Sequence, residues 1–111
     1  MWINNIENLP IHEVLQGMRG RFVHSEHMTF AFWEIDKNFI LPEHRHNNEQ
    51  VTHILNGEFE LSIAGKTQTM KAGQIAIIPS NTLHSGKALT DCKILDSFSP
   101  RREDYIFNEM G

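Results

Sequence analysis

Glu58-Phe59-Glu60-Leu61-Ser62-Ile63 alternates without a break, with Phe59, Leu61 and Ile63 on one side and Glu58, Glu60 and Ser62 on the other. A period of two marks a strand with one face in a core and one in water. Asn56-Gly57 before it and Ala64-Gly65 after it are turn dipeptides, so the segment reads as one arm of a hairpin. Working outward, further short runs of strand character fall at residues 22–24, 28–35, 50–55, 67–70, 74–78 and 92–98, with Gly or Pro between them. Only residues 10–15 and 102–107 read as single helical turns. Many short strands joined by tight turns predict an all-β sandwich or barrel.

A chain of 111 residues has room for one core, so residues 1–111 read as a single domain. Ten basic against fourteen acidic residues give a net charge of -4, the wrong sign for a protein that grips a phosphate backbone. Nucleic acid is therefore excluded as the expected partner. No apolar run reaches membrane-spanning length, and residues 1–9 lack the basic start of a secretion signal. The lone Cys92 sits in an apolar stretch and has no internal partner, which points to a buried, reduced thiol and a cytoplasmic protein. Residues 28–35 are apolar on both faces, and Trp2, Ile3, Ile6 and Leu9 have no helix in which to bury themselves. A homodimer in which residues 1–20 pack on the partner is expected.

The abnormal feature is histidine, seven in a short acidic chain. His44 and His46 are two apart, so on an extended strand both imidazoles leave the same face and reach one ion. Gln50 follows four residues later, and His84 is expected on the loop that begins at Pro79. Together these offer three nitrogens and one oxygen. Glu49 is the competing oxygen donor, harder and charged, but alternation turns it to the face opposite His46. His12, His24, His27 and His53 stand alone and read as surface or satisfied polar residues. Further on, Cys92, Ile94, Asp96 and Phe98 share one face of a strand, placing a carboxylate among apolar neighbours. Burial of that kind raises a carboxyl pKa and suits proton transfer. Arg101 and Arg102 follow closely. Either could clamp a substrate carboxylate, or each could spend its charge on Glu103 or Asp104.

These residues resemble the cupins, small barrels of the double-stranded β-helix or jelly-roll kind with two metal-binding motifs. Asn38, His44-Arg45-His46, Gln50 and Gly57 fall on the spacing of the first motif, and Gly73, Pro79, Asn81, His84 and Ala88 on that of the second. Asn stands for Gly at 38 and 81, and Asn also tolerates a left-handed backbone, so both turns are expected to survive. Asp96, Phe98, Ser99, Pro100, Arg102, Asp104 and Tyr105, with Arg21 upstream, are similar to the tail of the pectin-degradation cupins. That resemblance implies His44, His46, Gln50 and His84 as ligands of a divalent transition metal such as Ni, Zn, Mn or Fe. It further implies Asp96, Phe98 and Arg102 as the catalytic and substrate-contacting group, and a small anionic sugar as substrate. The implied reaction opens 4,5-unsaturated uronate monosaccharides to linear 5-keto-4-deoxyuronate. Two other expectations stand beside it: a metal-dependent cupin dioxygenase, and a non-enzymatic cupin that binds a small ligand.

Overall fold

A computed structural model describes residues 2–107 of the chain. Ten strands carry it: β1 (His12–Leu15), β2 (Met18–His24), β3 (Thr29–Ile35), β4 (Ile40–His44), β5 (Glu49–Asn56), β6 (Glu58–Ile63), β7 (Lys66–Lys71), β8 (Ile75–Ile78), β9 (His84–Ala88) and β10 (Cys92–Ser99). They form a six-stranded sheet in the order β1-β2-β3-β10-β5-β8 and a four-stranded sheet in the order β4-β9-β6-β7, with every pairing antiparallel. Among the described residues the only helical turns are of the 3-10 type, at Ile6–Asn8 and Glu103–Tyr105.

Alternation decides which side chains meet between the sheets. β3 buries Thr29, Ala31, Trp33 and Ile35 and leaves Phe30 and Phe32 half-buried on its outer face. β10 buries Cys92, Ile94, Asp96 and Phe98 in the same manner. The inner residues of the six-stranded sheet join Phe59, Leu61, Met70 and Ala88 of the four-stranded sheet in one hydrophobic core. The hairpin anticipated from residues 58–63 is β6 paired with β7, in register from Glu58 opposite Lys71 to Ile63 opposite Lys66.

Three expectations need correction. Residues 10–15 contribute a strand, not a helical turn, because the half-buried His12 and Val14 line the inner face while the backbone pairs with β2. β4 and β9 carried no alternating signal: β4 contains Pro42 and β9 is His-Ser-Gly-Lys-Ala. His84 accordingly begins a strand and does not lie on a loop. The 3-10 turn at Glu103–Tyr105 does lie within residues 102–107. Asn38 and Asn81 adopt φ of 73° and 59°, so each takes the left-handed turn for which glycine would otherwise be needed. Of the first twenty residues, β1 and the start of β2 pair within the chain's own sheet, whereas Trp2 and Ile3 are 89% and 60% exposed.

Close approach fixes one glycine. Gly86 of β9 lies under Phe59, and a Cβ there would overlap the ring atoms Cε2 and Cζ. Gly86→Ala is therefore expected to lower the unfolding free energy by about 1–3 kcal/mol, the usual cost of overpacking. Urea unfolding of the two proteins checks this, and an unchanged midpoint would mean that Phe59 has room to move aside.

Candidate metal centre

His44 ends β4 and stands opposite His84, the first residue of β9, in the antiparallel ladder. Their rings lie 4.1 Å apart between centroids, and His46, in the loop entering β5, lies 5.0 Å from His84 and 5.8 Å from His44. One ligand nitrogen from each ring lies within 4.8 Å of the other two. Backbone carbonyls set the tautomers. Nδ1 is 2.7 Å from Pro42 O in His44, 3.0 Å from Asn48 O in His46 and 2.8 Å from Thr82 O in His84. A carbonyl only accepts, so each Nδ1 of the neutral ring carries the proton and each Nε2 presents a lone pair. Metal-binding imidazoles are commonly oriented in just this way.

Two further observations fit a cation. His84 Nε2 is buried and has no hydrogen-bond partner. Gln50 Oε1 lies 3.1 Å from His46 Nε2, which in the neutral ring sets one acceptor against another; a cation shared by both turns that contact from repulsive to bridging. Gln50 Nε2 meanwhile donates to Thr52 Oγ1 at 2.9 Å, which orients the amide. Glu49 is exposed, on the other face of β5. Burial lowers the pKa of His46, helped by the charge of Arg102, and burial lowers that of His84 to about 4. His84 therefore stays neutral, as a ligand must, well into the acidic range, and burial favours the neutral form of His46 as well. The three imidazoles with Gln50 could hold a divalent ion.

The tail residues gather beside this cluster. Asp96 is 7% exposed, its Oδ2 accepts from Trp33 Nε1 at 3.0 Å, and its Oδ1 has no hydrogen-bond partner. Desolvation raises its pKa to about 6, against the pull of the Thr52, Gln50 and Trp33 side chains and of the Arg102 charge. Phe98 stands edge-on to His46 at 5.7 Å. The Arg102 guanidinium lies 4.8 Å from the Phe98 ring centroid and 4.2 Å from that of Tyr105. Its Nε and Nη2 donate to the two Asp104 oxygens at 2.9 and 2.7 Å. Arg101 pairs with Glu103 in the same way, so both arginines of this turn have a carboxylate two residues ahead.

Several supporting residues escaped the sequence reading. Asn48 is buried; its carbonyl accepts from His46 while its Nδ2 donates to Pro100 O at 2.5 Å. It thereby ties the histidine loop to the turn carrying Arg102. Thr29 Oγ1 accepts from the Arg102 N–H at 2.9 Å and contacts His24 Nδ1 at 2.8 Å, while His24 Nε2 lies 3.0 Å from Tyr105 O. His24 is thus a satisfied polar residue, as expected, and it fastens the tail. None of these had a signal in the sequence, because each works through contacts with residues dozens of positions away. Trp33 could have been suspected once β3 was placed beside β10, since a buried acid needs a donor.

A family profile described as a cupin domain matches residues 31–98. Among curated proteins, the pectin degradation protein KdgF of Dickeya dadantii is 25% identical over 103 residues, covering 90% of this chain and 94% of that protein. Among solved structures, KdgF from Halomonas sp. superposes with a TM-score of 0.86 at 24% identity, covering 90% of this chain and 94% of that one. An RmlC-like cupin from Shewanella frigidimarina superposes with a TM-score of 0.91 at 23% identity over 96% of both chains.

The raised pKa of Asp96 links stability to pH. Its folded value, about 6, exceeds the ordinary 3.8, so the folded state holds the proton more tightly than the unfolded chain. The contribution is complete below about pH 4 and lost as the pH rises through 6, and a shift of this size corresponds to about 3 kcal/mol. In chelator-treated protein, Asp96→Asn is expected to remove this part of the pH dependence and to gain stability over wild type at pH 7. Urea unfolding from pH 4 to 8 provides the check; parallel curves for the two proteins would refute the assignment.

Proposed function

This chain belongs to the cupin family, and from that premise we propose that it is a metal-dependent enzyme that opens the ring of 4,5-unsaturated uronate monosaccharides. The observation that carries the reading is the convergence on one cluster of three imidazoles, a buried carboxyl with a pKa of about 6 and a fixed guanidinium. The likeness to a pectin degradation protein over nine-tenths of the chain supports the substrate class. His44, His46, Gln50 and His84 would hold the ion, a donor set that Ni, Zn, Mn and Fe all accept. An ion held there would supply Lewis acidity to the sugar's oxygens.

The chain's own groups do the rest. Arg102, planar and stacked on Phe98, grips the sugar carboxylate and sets the ring's position. Asp96 as carboxylate takes the proton of the anomeric hydroxyl, whose oxygen becomes the aldehyde carbonyl as the bond from C1 to the ring oxygen breaks. The electron pair left on the ring oxygen is an enolate over C4 and C5. Asp96, now protonated, returns the proton to C4, and C5 becomes the ketone. The product is an isomer of the substrate, so no oxidant or reductant is consumed. A pKa near 6 suits both halves of this proton cycle close to neutrality. Phe98 walls the site and keeps water from the enolate. A buried, reduced Cys92 fits a cytoplasmic setting, and no helix of the described residues is long and apolar enough to cross a membrane.

A homodimer accompanies this reading. The outer face of the six-stranded sheet presents Phe30, Phe32, Val51, Leu95, Ile75 and Ile77, the last two 61% and 62% exposed. A second copy would cover it together with Trp2 and Ile3. Light scattering at micromolar concentration is expected to give twice the chain mass, and the chain mass itself would sink the dimer.

Elemental analysis of gently purified protein should find one transition metal per chain, and the metal should raise the melting temperature of stripped protein. Loss of the ultraviolet absorbance of the conjugated double bond follows ring opening. Asp96→Asn should lower kcat by about 10² to 10⁴ with metal content intact, while Arg102→Lys should mainly raise KM. Wild-type protein that carries metal yet leaves the absorbance unchanged refutes the reaction, and oxygen uptake would point instead to a dioxygenase.

A further inference from the structure

The guanidinium assigned to the substrate is already engaged. Asp104 lies on its Nε and Nη2 edge in a two-pronged pair of 2.9 and 2.7 Å, the geometry an incoming carboxylate would take. The two partners differ in their freedom to leave. The Arg102 side chain is 11% exposed, lies against the rings of Phe98 and Tyr105, and belongs to a turn fastened through Thr29 and His24. The Asp104 side chain is 61% exposed and has water to turn into.

We propose that Asp104 is an internal placeholder for the substrate carboxylate, displaced when a uronate binds, and that it makes this site selective for anions. The proposal rests on the reading that Arg102 receives the sugar carboxylate. A neutral sugar has nothing to exchange for Asp104 and would leave the buried guanidinium without its counter-ion if it pushed Asp104 aside, so it is refused. A uronate replaces one carboxylate with another, and Asp104 recovers its hydration outside. Wild-type affinity for uronates is then lowered by the fraction of time the internal pair stays closed. Closed ion pairs with one exposed partner are worth enough to set that penalty at about three- to tenfold.

The test measures binding of galacturonate, a uronate with no ring double bond to open, by calorimetry to metal-loaded wild type, Asp104→Asn and Asp36→Asn. Asp36 makes a two-pronged pair with Arg19 away from the histidine cluster and serves as the control. Asp104→Asn should bind galacturonate about three- to tenfold more tightly, Asp36→Asn should match wild type, and KM for the unsaturated uronate should fall by the same factor with kcat unchanged in Asp104→Asn. Galactose, which lacks the carboxylate, should gain measurable binding only in Asp104→Asn. Equal or weaker galacturonate binding by Asp104→Asn overturns the proposal and makes Asp104 a buttress that aims Arg102, with the carboxylate role of Arg102 intact. Failure of wild type and Asp104→Asn alike to bind galacturonate removes that role itself, and the placeholder with it.

Discussion

β10 is hydrogen-bonded along its length on both sides, to β3 and to β5, and that double pairing governs where everything else in the molecule stands. A strand held on two edges cannot slip by one residue without turning Ile94 and Phe98 out to water, so its inward face is fixed. Asp96 shares that face and has no choice but to be buried. The pairing with β5 sets Phe98 opposite Gln50 and Asp96 opposite Thr52, which aligns the acid with the oxygen donor of the candidate metal shell. The chain then leaves β10 through the turn that carries Arg102. One ladder thus brings Asp96, Phe98 and the turn carrying Arg102 to the end of the barrel where the histidines gather.

The sequence was legible where a side chain's role could be stated from its near neighbours. The alternation of residues 58–63, the left-handed Asn38 and Asn81 and the apolar company of Asp96 are all local patterns, and each appears in the fold as expected; His44 and His46 meet in one cluster, but from the end of β4 and the loop beyond it and not from one extended strand. β4 and β9 were not legible. Both lie in the four-stranded sheet, where Pro42, Gly86 and two histidines occupy positions that an ordinary strand would fill with β-branched residues. Those residues include two of the candidate ligands, so the strands that carry the candidate site look least like strands. β1 was misread because six residues hold too few turns of any period for helix and strand to differ. The clamps made by Asn48, Thr29 and His24 depend on contacts across 52, 73 and 81 positions, and no window of sequence contains them.

Polar bookkeeping points to the same region from a different direction. Among the described residues, three buried side-chain atoms lack a hydrogen-bond partner: Arg21 Nε, His84 Nε2 and Asp96 Oδ1. Native interiors satisfy nearly all such atoms, so each exception asks for a reason. Two of the three lie at the histidine cluster or beside it. The His84 lone pair is what a bound ion would satisfy, and the Asp96 carboxyl sits beside the Thr52 and Gln50 side chains that flank the same cluster.

The candidate ligands do not belong to one sheet. His44 and His84 stand on the four-stranded sheet, Gln50 on the six-stranded one, and His46 on the strand-to-strand crossing between them. At the far end of the barrel the sheets are already fastened, through the short Asn56–Gly57 connection between β5 and β6 and by the Cys92 thiol of β10, which donates to Glu58 O of β6. Metal loading would therefore act as a clasp on one rim of a structure hinged at the other. Stripped of its ion, the barrel would not loosen evenly: amide hydrogens near residues 44–50 and 80–84 would exchange with solvent first, while those around Glu58 and Cys92 held out.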